Sequence, residues 1–176
     1  MESFYDSLTR WQPFFAAVAG ATATLVGLLF VSLSINREKI TAAENRHLLR
    51  LAQRSFGDYL FAMFIALLFL VPNHETYGLA GPLFILAAVR GWFLIRALAR
   101  AIKEQASTWG GWREQIFSVL SWLGLIVAGV EIYRGQILAT FILVPVISLL
   151  LVNASMNAWA LLIMEKNTDV KPPDGD

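Results

Sequence analysis

The chain has 176 residues, of which 57% are hydrophobic and 15% charged, with 14 basic and 13 acidic side chains and no cysteine. That is more apolar surface than a soluble core of this size can bury, so the composition reads as an integral membrane protein. The missing cysteines exclude disulfides, thiolate metal sites and cysteine nucleophiles, and the net charge of +1 matters less than where the charges fall along the chain.

The opening "MESFYDSLTR" sets Glu2 and Asp6 against Arg10. A signal peptide begins with a positive leader, so this stretch reads as mature sequence. Residues 13–35 form an uncharged apolar run of 23 residues, and about 20 suffice to cross ~30 Å of hydrocarbon. Pro13, with Trp11 before it, reads as a helix start at the headgroup boundary.

The next segment is polar and basic, with Leu48, Leu51, Ala52 and Tyr59 on one helical face. No breaker separates it from "LFAMFIALLFLV". Together they predict one long second helix from about Thr41 to Val71, extending into the cytoplasm, with its span at 56–71. Pro72, Asn73 and Gly78 make a turn before span three at 79–98. "STWGGW" interrupts the chain, span four covers 115–130, "EIYRGQ" is a short turn, and span five covers 137–164 with a kink at Pro145. The fold class is thus all-α, a polytopic transmembrane helix bundle of five spans in one domain over 1–166. A four-span alternative demotes one of the short spans, two or four. Residues 167–176, polar with two prolines, read as a disordered tail.

Lysine and arginine give the threading. Arg37, Lys39, Arg46, Arg50, Arg54, Arg96, Arg100, Lys103, Arg113, Lys166 and Lys171 fall on one side, and only Arg10 and Arg134 on the other. The positive-inside rule then predicts an outer N-terminus and a cytoplasmic C-terminus. Trp109, Trp112 and Trp159 fall near the inner boundary, and Trp11, Tyr77 and Tyr133 near the outer one.

One charge lies inside an apolar run. Arg90 comes 11 residues after Leu79, a depth of about 17 Å at 1.5 Å per residue. A lone charge there costs ~2.5 to 3.5 kcal/mol, so it calls for a partner. Asp58 lies 13 residues before Val71, at about 20 Å. In an antiparallel hairpin of spans two and three, Arg90 stands opposite Leu60, within a turn of Asp58. This predicts a buried Asp58–Arg90 ion pair. The alternative is that Arg90 snorkels to the inner headgroups. Arg96, Arg100 and Lys103 share a stripe from which Arg90 is turned by about 120°, which favours the pair. The same depth count adds Asn153, Ser121 and Gly27 to a polar layer, either a structural clamp or an ion path.

The first span is rich in small residues, with Gly20, Thr24, Gly27, Val31 and Ser34 along one face. Such a face suits close helix packing, within the fold or between subunits, or a pore lining. Ser121, Gly124 and Ala128 in span four offer a partner surface for either. The stretch from Trp11 to Asn36, ending "GLLFVSLSIN", resembles the first helix of short uncharacterised bacterial multi-pass membrane proteins. That resemblance implies a bacterial cytoplasmic (inner) membrane location and no site residues.

Arg46, Arg50 and Arg54 step along the extension before span two, with Arg50 level with Arg100 and Arg54 level with Arg96. Two adjoining basic stripes favour anionic lipid headgroups between them, each Lys or Arg gaining about 1 kcal/mol. An anion site or a docking surface for a soluble partner is the other reading. No motif points to nucleic acid. His47 and His74 fall on opposite sides of the membrane, so they cannot share a haem or metal, and no cofactor is expected. With no H-E-x-x-H, G-x-S-x-G or P-loop motif, the chain does not read as an enzyme. Two functional readings remain: a homo-oligomeric channel or transport-like assembly, and a non-conducting adaptor or regulatory subunit docked on another membrane protein or on anionic lipid.

Overall fold

A computed structural model describes residues 4–37, 46–71, 76–103 and 109–168, with side chains placed at 8–37, 48–71, 78–99 and 115–161. They fold into α1 (Phe4–Ile35), α2 (Arg46–Leu70), α3 (Thr76–Lys103), α4 (Trp109–Tyr133) and α5 (Leu138–Thr168), with no strand among the described residues. Each helix contains a stretch long and apolar enough to cross a bilayer: Leu8–Ile35, Leu48–Leu70, Gly78–Ala99, Gln115–Tyr133 and Leu138–Leu161. The chain is a multi-pass helical membrane protein with five candidate spans, so the four-span alternative is not needed. Its outward surface carries Phe30, Phe64, Ile85, Phe93, Leu123, Phe141 and Trp159. Helices apolar on both the packed and the exposed side suit a lipid surround.

One boundary differs from the sequence expectation. α1 does not start at Pro13 but runs through it from Phe4. Leu8 and Phe15, on either side of the proline, are both buried, so packing overrides the local stop, and freed backbone groups in such helices find other partners. The apolar stretch of α2 takes in Leu48–Leu70 among the described residues, which contains most of the expected 56–71. Arg50, Gln53 and Arg54 depress its hydropathy, yet they lie on the outer side while Leu48, Ala52 and Ser55 are buried. The expected start of α2 near Thr41 lies outside the described residues. Pro145 sits within an uninterrupted α5. Asn167 and Thr168 end α5, and the remainder of the proposed tail lies outside the described residues.

The turn between α4 and α5 shows how the chain reverses. Gly135 has φ 68°, Gly135 N–H donates to Ile132 O at 2.8 Å, and Gln136 N–H donates to Glu131 O at 2.9 Å. This is the paired helix-end closure that a residue at positive φ allows, and glycine adopts that φ without a Cβ clash.

α2 packs along α1 and α5, and α4 packs along α3 and α5, whereas α2 and α3 touch lightly. α2, α5, α4 and α3 therefore form a four-helix ring whose weakest edge is α2–α3. α1 lies outside this ring, against α2 and one margin of α5. Its buried stripe is Leu8, Phe15, Val18, Ala19, Thr22 and Leu29. Phe15 stacks on Phe69 of α2 at 4.7 Å between ring centroids, and Trp11 meets Phe141 of α5 edge-on at 5.4 Å.

The half of the ring holding Ile65, Phe69, Leu79, Leu83, Leu125, Ile132 and Leu143 is a continuous apolar core. The other half leads to the end of the bundle that carries Arg37, Arg50, Arg54 and Arg96, here termed the basic end. Smaller apolar clusters around Tyr59 and Ala154, then Ala52 and Leu161, lie on that side. Between the two halves is a polar layer.

Candidate functional site

The layer draws one side chain from each helix of the ring: Asp58 from α2, Arg90 from α3, Ser121 from α4 and Asn153 from α5. All are buried, with Asp58 at 7% and Arg90 at 6% exposure. Arg90 Nη1 donates to Asp58 Oδ1 at 2.7 Å, the short distance of a charge-assisted bond. Arg90 Nε and Nη2 both donate to Ser121 Oγ, at 3.2 and 3.0 Å, and the Ser121 hydroxyl donates to Ser118 O at 3.0 Å. Asn153 Nδ2 donates to Asp58 Oδ2 at 2.5 Å. The guanidinium lies over the Phe61 ring, 5.3 Å from its centroid, where the π face attracts a cation. Arg90 is thus held inside the bundle, and the snorkelling alternative fails.

Local packing fixes the arginine's helix. Gly91 leaves room for Trp122 of α4, whose indole Nε1 would lie 2.7 Å from a Cβ at that position. The indole N–H donates instead to Ala87 O of α3 at 2.9 Å. One turn apart on α3, Ala87 and Arg90 are therefore both tied to α4, so the guanidinium is presented toward α2 by a clamped backbone.

Gly27 does not join the layer. It shares its depth but sits on the exposed side of α1, with nothing within 4 Å of where a Cβ would stand. Depth is one coordinate; α1 lies outside the ring, so its residues cannot reach the interior. Gly20, Thr24 and Ser34 are likewise exposed. Thr24 Oγ1 donates to Gly20 O and Ser34 Oγ to Phe30 O, within their own helix. Nor does the small surface of α4 meet α1, because those two helices make no contact among the described residues. A Cβ at Gly124 would run into Val146 Cγ2 of α5, and Ala128 is fully buried. The close packing is between α4 and α5.

On the basic rim, Arg50, Arg54 and Arg96 are exposed, and the Arg96 guanidinium lies 4.4 Å from the centroid of Trp92 on its own helix. The side chains of Arg46, Arg100 and Lys103 lie outside the described residues, as do those of His47 and His74.

Sequence reasoning missed Phe61 and Trp122, and also Ser55 and Asn157, which are buried one turn from the layer. Ser55 is three residues from Asp58 and Asn157 four from Asn153, so helical spacing carried the signal for both.

The ring and its buried layer define a multi-pass helical membrane protein with an internal ion pair. Compared with protein-family models, curated proteins and solved structures, the chain matches none.

Proposed function

We propose that the chain is a channel- or transport-type membrane protein assembled from several copies of itself through the outward face of α1. The observation that carries this reading is the contrast in exposed surface. Ala16, Ala17, Gly20, Ala21, Ala23, Thr24 and Gly27 are all exposed on α1, whose exposed large apolar side chains, Leu28, Phe30, Val31 and Ile35, fall in its last two turns, whereas the other helices expose Phe, Leu, Ile, Val and Trp along their length. In lipid, small residues favour helix association because they let backbones approach closely. α1 also lies outside the ring, so a neighbouring subunit can reach that face without disturbing the layer.

In this reading the polar layer holds each subunit together rather than carrying the solute. Both Asp58 oxygens are engaged and Arg90 is bonded on two sides, which supports a clamp. Conduction belongs to the assembly, with Gly20, Thr24, Gly27 and Ser34 near its axis. The membrane is the bacterial inner one, the basic end faces the cytoplasm, and Arg50, Arg54 and Arg96 meet anionic headgroups there.

A second reading has its own support. Thr24 and Ser34 donate to carbonyls of their own helix, as on a packing surface, which favours a non-conducting subunit that docks α1 on another membrane protein.

Native mass measurement in detergent, followed by ion flux into liposomes, separates the two. The channel reading expects a multiple of the 19.6 kDa chain and flux that Gly20→Leu and Gly27→Leu both abolish. A strict monomer overturns it, and an oligomer without flux favours the docking subunit.

A further inference from the structure

Two buried polar groups stand outside the network of the layer. Ser55 on α2 is fully buried and Asn157 on α5 is 3% exposed. Neither Ser55 Oγ nor Asn157 Nδ2 has a hydrogen-bond partner among the described residues. A donor left unmet in a membrane interior is strongly unfavourable, so native proteins seldom keep one.

The two fall at one level. Asp58 meets Asn153 across the α2–α5 seam, and Tyr59 Oη lies 3.1 Å from Ser155 Oγ on the same seam, which fixes an antiparallel register. Three residues back from Asp58 is Ser55, and four forward from Asn153 is Asn157. The steps advance about 4.5 and about 6 Å toward the basic end and leave the side chain within about 60° of the layer residue, at 1.5 Å and 100° per residue. One turn further, Ala52 and Leu161 are buried with Leu33 and Leu51 packed against them, an apolar closure on that side.

We propose that Ser55 and Asn157 form an internal-water site in the α2–α5 seam, one turn from Asp58. The chemistry selects the guest. The unmet atom of Asn157 is an amide N–H donor, so the guest must accept a hydrogen bond, which disfavours a cation. Arg90, the cation one turn away, is already compensated by Asp58, so no net positive charge draws an anion. A serine hydroxyl both donates and accepts, and a small neutral guest that does the same is water, which in proteins typically bridges about three polar groups. The polar layer is then two levels deep, hydrated on its basic side and sealed on both sides by apolar clusters.

The test uses the whole protein in detergent micelles with selective 15N-asparagine and 15N-tryptophan labelling, Asn157 and Trp122 being assigned through Asn157→Gln and Trp122→Phe. Water is the probe. The side-chain amide protons of Asn157 are expected to show dipolar cross-peaks to long-lived water, while the Trp122 indole proton, bonded to Ala87 O, shows none. Absence of the Asn157 cross-peak overturns the proposal. In parallel, Ser55→Ala, Asn157→Leu and the double variant are compared by thermal midpoint. A shared water predicts that the double variant loses less than the two single losses summed. Additive losses overturn the proposal, and non-additive losses without the cross-peak mean a direct Ser55–Asn157 bond, which overturns it as well.

Discussion

Asp58 is held by different helices at its two oxygens: Arg90 of α3 donates to Oδ1 and Asn153 of α5 donates to Oδ2. Because α2 and α3 otherwise touch lightly, the carboxylate closes the open edge of the ring. In a low-dielectric interior, removing one charge leaves the other uncompensated. Asp58→Asn and Arg90→Gln are each expected to destabilise the protein by about 3 to 5 kcal/mol, measured by unfolding in detergent. The double variant is expected to lose less than the sum, since it strands no charge. Single losses below about 1 kcal/mol would show that the pair does not hold the ring.

Asn153, a neutral member of the layer, is expected to contribute less. Asn153→Leu removes one side-chain hydrogen bond between helices, for which an expected loss is about 0.6 to 1.7 kcal/mol. The same unfolding measurement checks the ranking. A loss equal to that of Asp58→Asn would mean that Asn153 supports the layer by more than the single observed bond.

The glycines separate into two kinds by what surrounds them. A Cβ at Gly124 collides with Val146 of α5, so Gly124→Ala is expected to destabilise each subunit by about 1 to 3 kcal/mol, with Val146→Ala restoring part of it. Gly20 and Gly27 have open space, so Gly20→Ala and Gly27→Ala are expected to leave subunit stability unchanged or raise it by up to about 1 kcal/mol. A large loss of subunit stability at Gly20 would contradict the outward placement of that face.

At the α4–α5 turn the constraint is backbone conformation. Gly135 at φ 68° tolerates alanine poorly, and Gly135→Ala is expected to cost roughly 1 to 2 kcal/mol. Its exposed position means that the layer and the α1 face are untouched. Circular dichroism melts of wild type and variant would show the shift, and no change would mean that the turn has another low-energy form.

How much of this the amino-acid sequence carries can be argued residue by residue. Hydropathy located the five spans, because a bilayer sets helix length directly. Counting residues from the membrane edge placed Asp58, Arg90, Ser121 and Asn153 at one depth, and the structure joins them by hydrogen bonds. The same count misplaced Gly27, since depth says nothing of whether a helix belongs to the ring. Pro13 misled in the other direction, as a local stop signal yielded to tertiary contacts of Leu8 and Phe15. Trp122 could not be read at all. Its bond to Ala87 O depends on the gap at Gly91 of a neighbouring helix, and nothing in α4 alone specifies that neighbour.

The ion pair also bears on biogenesis. Asp58 and Arg90 are 32 residues apart, so during synthesis the acidic residue reaches the translocon ahead of its counter-charge. Left alone in lipid it faces a penalty of ~2.5 to 3.5 kcal/mol, which the arriving arginine relieves. The second and third helices are therefore expected to partition into the bilayer as one hairpin, and a chain truncated between them to insert less efficiently than the pair.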